Sequence, residues 1–176
     1  GARWNDRNNL AFETNVTALI EAFRTAKQPV AYFLHSDSDE HFNVGSPFYR
    51  LMSFLAPRPG EAIFHKTTYN CFTSTALLPA LLRAGVDRVT ITGIRTEQCC
   101  ETTTRVACDL GFEVDFVSEA TLTFPIAKPS GAELSGDEVL ERTELVLRDR
   151  FARIVTVAEV VARLQGGVAV PIVSMC

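Results

Sequence analysis

The sequence predicts a three-layer α/β/α domain built on a central, mostly parallel sheet. Short apolar, β-branched runs alternate with stretches of helical periodicity along the whole chain, the pattern of strands joined by helical crossovers. The run VAYFL at 30–34 is apolar throughout instead of alternating, as a strand covered on both faces is. The length of 176 residues at 47% hydrophobic content fits one ordinary domain with a full core. In a sheet of this kind functional groups gather beyond the carboxyl ends of the strands.

Taken in order, residues 1–9 are polar and read as irregular. From Leu10 onward Phe12, Val16, Leu19, Ile20 and Phe23 recur at helical spacing as far as Gln28-Pro29, which predicts an amphipathic helix lying on the sheet. VAYFL then forms a strand that His35 ends. Residues 36–61 are rich in Ser, Asp, Asn, Pro and Gly and carry an aromatic patch at Phe48, Tyr49 and Phe54; a loop of this length is the expected substrate cover. AIFHK at 62–66 is the next strand, and TALLPALLR at 75–83 a short helix closed at Gly85, with Pro79 awkward inside it. A strand over 87–94 leads to a helix that ends near Leu110 and is stopped by Gly111. A strand over 112–117, a loop over 118–135, a charged helix over 137–150, a strand at 154–155 and a helix over 157–164 complete the alternation. The chain is read as a single domain over 1–176. Its apolar tail at 166–176 (GGVAVPIVSMC) is expected to dock on a neighbouring subunit or to hang free as a disordered remnant.

Composition excludes several classes of function. There are 17 basic and 21 acidic residues, a net charge of −4, and no basic block, so nucleic acid is not an expected partner. No secretory pattern and no apolar run near membrane length appear, so no membrane partner is expected either. Five cysteines, an odd number without zinc-ligand spacing, favour free thiols in a reducing compartment, and the cytoplasm is the assigned location. His35, Asp37, Asp39 and His41 in HSDSDEH are of ligand type, but an acidic loop is ordinarily just solvated; no metal and no cofactor are expected.

The chemistry concentrates in residues 89–105, VTITGIRTEQCCETTTR. Val89, Ile91 and Ile94 form a buried strand, Gly93 bounds it, and a polar turn opens a helix with Cys99 in its first turn. Unpaired backbone N–H groups and the positive end of the helix dipole there favour the thiolate, the reactive form of cysteine. Glu101, Arg105 and Asp109 follow on one charged stripe, opposite Thr103, Val106, Ala107 and Leu110. Cys100 points about 100° away from Cys99 and is read as packing. His35, Lys66 and the 95–99 turn all fall at strand ends. By composition alone a structural cysteine is the better account of Cys99, and a solvated strand-end lysine is at least as good an account of Lys66 as a catalytic one.

The segment TGIRTEQCCETTTRVACDLGFEVDFVSEATLTF resembles the nucleophile motif of the isochorismatase-like cysteine hydrolases, the superfamily that includes nicotinamidases, N-carbamoylsarcosine amidases and ureidoacrylate amidohydrolases. LAPRPGEAIFHKTTYNCF resembles the segment carrying that family's catalytic lysine. RWNDRNN, the helix after it and PVAYFLH resemble its first helix and second strand, so the likeness runs from about residue 3 to 164. The resemblance implies the isochorismatase-like hydrolase fold, with Cys99 as nucleophile and Lys66 as the lysine of an Asp-Lys-Cys triad. It implies an oxyanion hole from the backbone N–H groups of Arg95 and Cys99, and a cis peptide at Ile94-Arg95. The expected chemistry is attack of the thiolate on a small amide or carbamoyl carbonyl, loss of ammonia or an amine, and hydrolysis of the thioester by water. Arg95, Tyr69, Phe72 and Phe48 are the expected pocket lining, and a homo-oligomer is expected.

Three departures qualify that expectation. The triad's aspartate ends the family's first, central strand, which has no counterpart in residues 1–9, where Asp6 lacks an apolar run. The fold is therefore expected with that strand missing, through an upstream piece or a variant without the general base. Arg95 stands where the family more often has a small or apolar residue, and it either selects a carboxylate-bearing substrate or turns to solvent. Cys71 stands where the family usually has alanine, as a small buried thiol or a regulatory disulfide partner. The alternatives to an amidohydrolase are a non-catalytic or redox-sensing relative lacking the aspartate, and a vinyl-ether hydrolase of the true isochorismatase type, against which Cys99 counts.

Overall fold

The computed structural model describes residues 2–37, 42–166 and 172–175. Its strands are β1 (Val30–His35), β2 (Ala62–Lys66), β3 (Arg88–Ile94), β4 (Glu113–Leu122), the short β5 (Ile126–Ala127) and β6 (Glu133–Leu134), β7 (Arg153–Ile154) and β8 (Ile172–Met175). The helices are α1 (Phe12–Thr25), α2 (Leu77–Arg83), α3 (Glu101–Asp109), α4 (Gly136–Leu147) and α5 (Val157–Gln165). Six strands make one sheet in the order β2-β1-β8-β3-β4-β7, with each neighbouring pair parallel.

Both faces of the sheet are covered, which gives the three-layer α/β/α arrangement. The stripe Phe12, Val16, Leu19, Ile20 and Phe23 of α1 is buried together with Val160 and Leu164 of α5 against one face. Leu77 and Leu81 of α2 and Ala107 of α3 pack against the other with Val89, Ile91, Val114 and Phe116. Within β1 the neighbours Tyr32 and Phe33 go to opposite cores, as the two-residue repeat of a strand requires. Each such large side chain taken fully from water contributes about 1.5–3 kcal/mol. Capping boxes, Ser135 with Glu138 and Thr156 with Glu159, start α4 and α5.

The structure corrects the sequence reading in three places. The 166–176 tail is not left outside the domain: residues 172–175 form β8, between β1 and β3, the central sheet position that was expected to be missing. Residues 118–122 are not loop, because β4 continues to Leu122 through a bulge. Ile91 pairs with Phe116 and Gly93 with Thr121, so residues 117–120 of β4 stand opposite the single residue Thr92 of β3, and Gly93, where pairing resumes, has a φ of 124°, a value open to glycine. The amides of Asn9 and Asn15 donate to the Glu119 carbonyl, and Asn8 exchanges two bonds with the Thr123 backbone, so α1 and the N-terminal segment, which was expected to be irregular but forms a 3-10 helix over Ala2–Asp6, supply partners that the bulge would lack. Finally, α2 begins at Leu77, where the Thr75 hydroxyl accepts the Leu77 N–H, and Pro79 therefore sits in the first turn, where a missing N–H costs no helix bond.

Candidate active site

The site is assembled by strand register. β1 and β2 run side by side with His35 paired to Lys66, so both side chains leave the same face at the carboxyl edge of the sheet. Lys66 is 1% exposed, and its ammonium is enclosed by four atoms. Its Nζ lies 3.0 Å from the Thr68 carbonyl and 3.1 Å from the Tyr69 carbonyl, 3.1 Å from His35 Nδ1 and 3.2 Å from Cys99 Sγ. Among the described residues these are its partners, and none is a carboxylate. The chain reverses directly after β2 because Thr68 and Ser74 exchange hydroxyl contacts and Asn70 Oδ1 accepts from the Phe72 and Thr73 amides; that reversal aims the two carbonyls at the lysine.

Cys99 arrives from the carboxyl end of β3. The Ile94-Arg95 peptide is cis, and residues Thr96–Cys100 form a π-helical turn before α3, so the thiol stands in a wider turn than the α-helical one expected. The Arg95 carbonyl accepts from the amides of Gln98 and Cys100, which closes that turn. Two side chains pin it to the end of β4: Thr96 Oγ1 donates to Thr121 Oγ1, and Thr123 Oγ1 donates to Glu97 Oε2 at 2.6 Å. Cys99 is 8% exposed, and Cys100 beside it is fully buried, as a packing residue is. Glu101 departs from the expected exposed stripe. It is buried and accepts from Arg105 of its own helix and from Arg142 of α4, which anchors the helix that follows the nucleophile turn.

The other predicted residues separate. Arg95 lies with its guanidinium 5.0 Å over the Phe124 ring, itself packed on Trp4, over whose ring the Arg7 guanidinium also lies. Tyr69 is 56% exposed at the rim, with its ring stacked on His35. Phe48 is exposed in the long loop and Tyr49 of that loop bonds His65. Phe72 turns away from any opening: it is 7% exposed and stacks on Phe112 in the core behind the thiol, so in this structure it is a packing residue. Cys71 is fully buried, its amide accepted by Thr103 Oγ1, and burial pushes its thiol up to about 12 in spite of nearby Lys66. Asp39 and His41 lie outside the described residues, while His35, weighed from sequence as a ligand type, is spent on Lys66. Sequence reasoning missed that contact and the two carbonyls; the available signal was that His35 and Lys66 each end a strand.

Residues 1–159 match the family model for the isochorismatase domain. The chain is 28% identical over 161 residues to the uncharacterized isochorismatase family protein YrdC of Bacillus subtilis (strain 168), spanning 90% of this chain and 86% of that one. It is 35% identical over 126 residues to nicotinamidase 3 of Arabidopsis thaliana, covering 62% of this chain and 63% of that protein. A solved structure described as a hydrolase of the isochorismatase family, from Chromobacterium violaceum ATCC 12472, superposes with a TM-score of 0.86 at 27% identity, over 91% of this chain and 84% of that one.

Proposed function

Because the chain belongs to the isochorismatase family, we propose that it is a cysteine hydrolase cleaving a C–N bond in a small amide or carbamoyl compound, with Cys99 as nucleophile and Lys66 as its charged partner. The observation that carries this reading is the 3.2 Å contact between Lys66 Nζ and Cys99 Sγ in a site where both groups are nearly removed from water. An ammonium at that distance favours the thiolate, since their attraction is weakly screened there. The resting pair in this reading is therefore a Cys99 thiolate beside a Lys66 ammonium, which already carries the proton the reaction needs. The thiolate then forms a C–S bond to the substrate carbonyl carbon, the C–N bond breaks, and the leaving nitrogen takes the proton from Lys66. Water adds its oxygen to the thioester carbonyl carbon and gives one proton to the Lys66 amine, the C–S bond breaks, and the thiolate–ammonium pair is restored. Backbone N–H groups of Arg95 and Cys99 are assigned to the developing oxyanion. Arg95 and the exposed Tyr69 and Phe48 are assigned to substrate contact, the finer choice of substrate lying with them.

The name of nicotinamidase 3, a relative at 35% identity, supports an amide over a vinyl-ether substrate, as does a cysteine at the reacting position. One observation favours a non-catalytic or redox-sensing reading: among the described residues no carboxylate contacts Lys66 or Cys99. A screen for ammonia release over small primary amides and carbamoyl compounds separates the two. The hydrolase reading requires turnover that Cys99→Ala abolishes; a panel without turnover moves the sensor reading ahead. The reading extends to a homo-oligomer in a reducing compartment, the latter supported by the odd count of five cysteines.

A further inference from the structure

His35 is a partly buried titratable group beside Lys66 that the reaction above does not use, and it is held from three sides. Its Nδ1 is 3.1 Å from Lys66 Nζ, its ring stacks on Tyr69 with centroids 5.6 Å apart and planes 25° from parallel, and its Nε2 lies 3.7 Å from Asp37 Oδ2. An ammonium has three N–H groups, and Lys66 has four partners. The Thr68 and Tyr69 carbonyls can only accept, and they occupy two of the three. The third N–H is shared between the imidazole nitrogen and the sulfur. Asp37 beside Nε2 favours the tautomer protonated there, which leaves the Nδ1 lone pair facing Lys66. Burial, and then the charge of Lys66, lower the His35 pKa from its ordinary value against the opposing pull of Asp37 and of the Thr68 carbonyl, so the ring is neutral and able to accept at neutral pH.

We propose that His35 is a positioning residue for Lys66: Nδ1 shares the third ammonium N–H with the sulfur and holds the lysine charged and aimed at Cys99, with neutral acceptors doing what a carboxylate partner would do. This rests on the reading of Lys66 and Cys99 as a working pair and adds to it the group that maintains the pair. The ionisable groups facing the thiol are Lys66 from β2, Cys71 from the turn after it and, through Lys66, His35 at the end of β1 with Asp37 beyond it.

The test uses the full chain and needs no substrate. Alkylation of Cys99 by iodoacetamide is followed across pH by mass spectrometry, with Cys108 as internal reference, in wild type, His35→Asn and His35→Phe. Asparagine keeps an acceptor near the Nδ1 position and loses the ring; phenylalanine keeps a ring to stack on Tyr69 and loses the acceptor. Loss of one hydrogen bond to a charged group predicts that His35→Phe alkylates about tenfold more slowly at pH 7, with its profile moved to higher pH, while His35→Asn stays within about threefold of wild type. A Phe variant as fast as wild type, or Phe and Asn variants slowed alike, overturns the proposal, since a ring that only packs is replaced best by a ring. Nitrogen NMR of the unaltered protein gives a check independent of whether variants fold: Nε2–H is expected, and an Nδ1–H tautomer overturns the assignment. A wild-type Cys99 no faster than Cys108 overturns the working pair and His35's role with it; a fast wild-type Cys99 with unchanged variants overturns only the latter.

Discussion

Two buried charges, at opposite ends of the sheet, are treated in opposite ways. Asp115, near the amino end of β4, is 0% exposed and met by three guanidiniums: Arg163, Arg88 at 3.5 Å and Arg153 at 3.7 Å. Lys66, at the carboxyl end of β2, is as deeply buried but meets two carbonyls, an imidazole and a thiol. A buried ion is tolerated when opposite charge and hydrogen bonds offset its lost hydration, and Asp115 has that in surplus, tying β4 to β3, β7 and α5. Lys66 has hydrogen bonds without permanent opposite charge among the described residues, and the group able to supply one is Cys99 on ionising. The first arrangement holds the fold together; the second leaves a buried cation beside the thiol that the proposed reaction uses.

Altering each charge tests the contrast. The largest effect is expected from Lys66→Met, which removes the cation and the proton carrier together. Ammonia release should fall by about a thousandfold or more, equivalent to ~4 kcal/mol of barrier, while the unfolding midpoint holds or rises because an ammonium without permanent counter-charge has been replaced by an apolar chain. A large loss of stability in this variant would make the lysine structural and erase the distinction. Next in size is Asp115→Asn, which strands three arginines around a neutral group and should cost about 3–5 kcal/mol in urea unfolding. The folded fraction should still alkylate Cys99 at the wild-type rate; a slowed thiol would show that the two ends of the sheet are coupled.

A smaller effect sharpens the comparison at a third charge. Glu61, where the long loop enters β2, accepts from Arg24 Nε and Nη2 at 2.7 and 2.8 Å and from the Tyr32 hydroxyl at 3.0 Å. The Arg24 guanidinium holds its carboxyl down from 4.5 to about 2. A depressed folded pKa means that the stability it contributes is present above pH 4.5 and is lost as pH falls toward about 2. Acid unfolding of wild type should therefore steepen across that window by about 2 kcal/mol relative to Glu61→Gln, and equal acid slopes would remove Glu61 from the account.

Much of this molecule was legible in the chain because it depends on near neighbours. The buried stripe of α1 follows from helical spacing, and β1, β2 and β3 follow from short apolar runs. The positions of Cys99 and Lys66 at strand ends follow from where those runs stop; their roles came from the family likeness, since composition left a structural thiol and a solvated lysine open. The tertiary structure decided what depends on partners far along the chain. Four residues such as 172–175 fit any parallel slot, and only the vacancy between β1 and β3 assigns them the sheet centre. Residues 118–122 are strand because β3 pairs with them and Asn9 and Asn15 meet their backbone, a match no local pattern encodes. Phe72 and Glu101 have ordinary polarities for a pocket and a surface, but were buried by Phe112 and Arg142. The sequence by itself determined which elements form and which residues with reactive groups stand at their ends. Only the folded structure decided that His35 and Lys66 lie in register and that Cys99 lies opposite them, because register is a relation between strands and no single strand contains it.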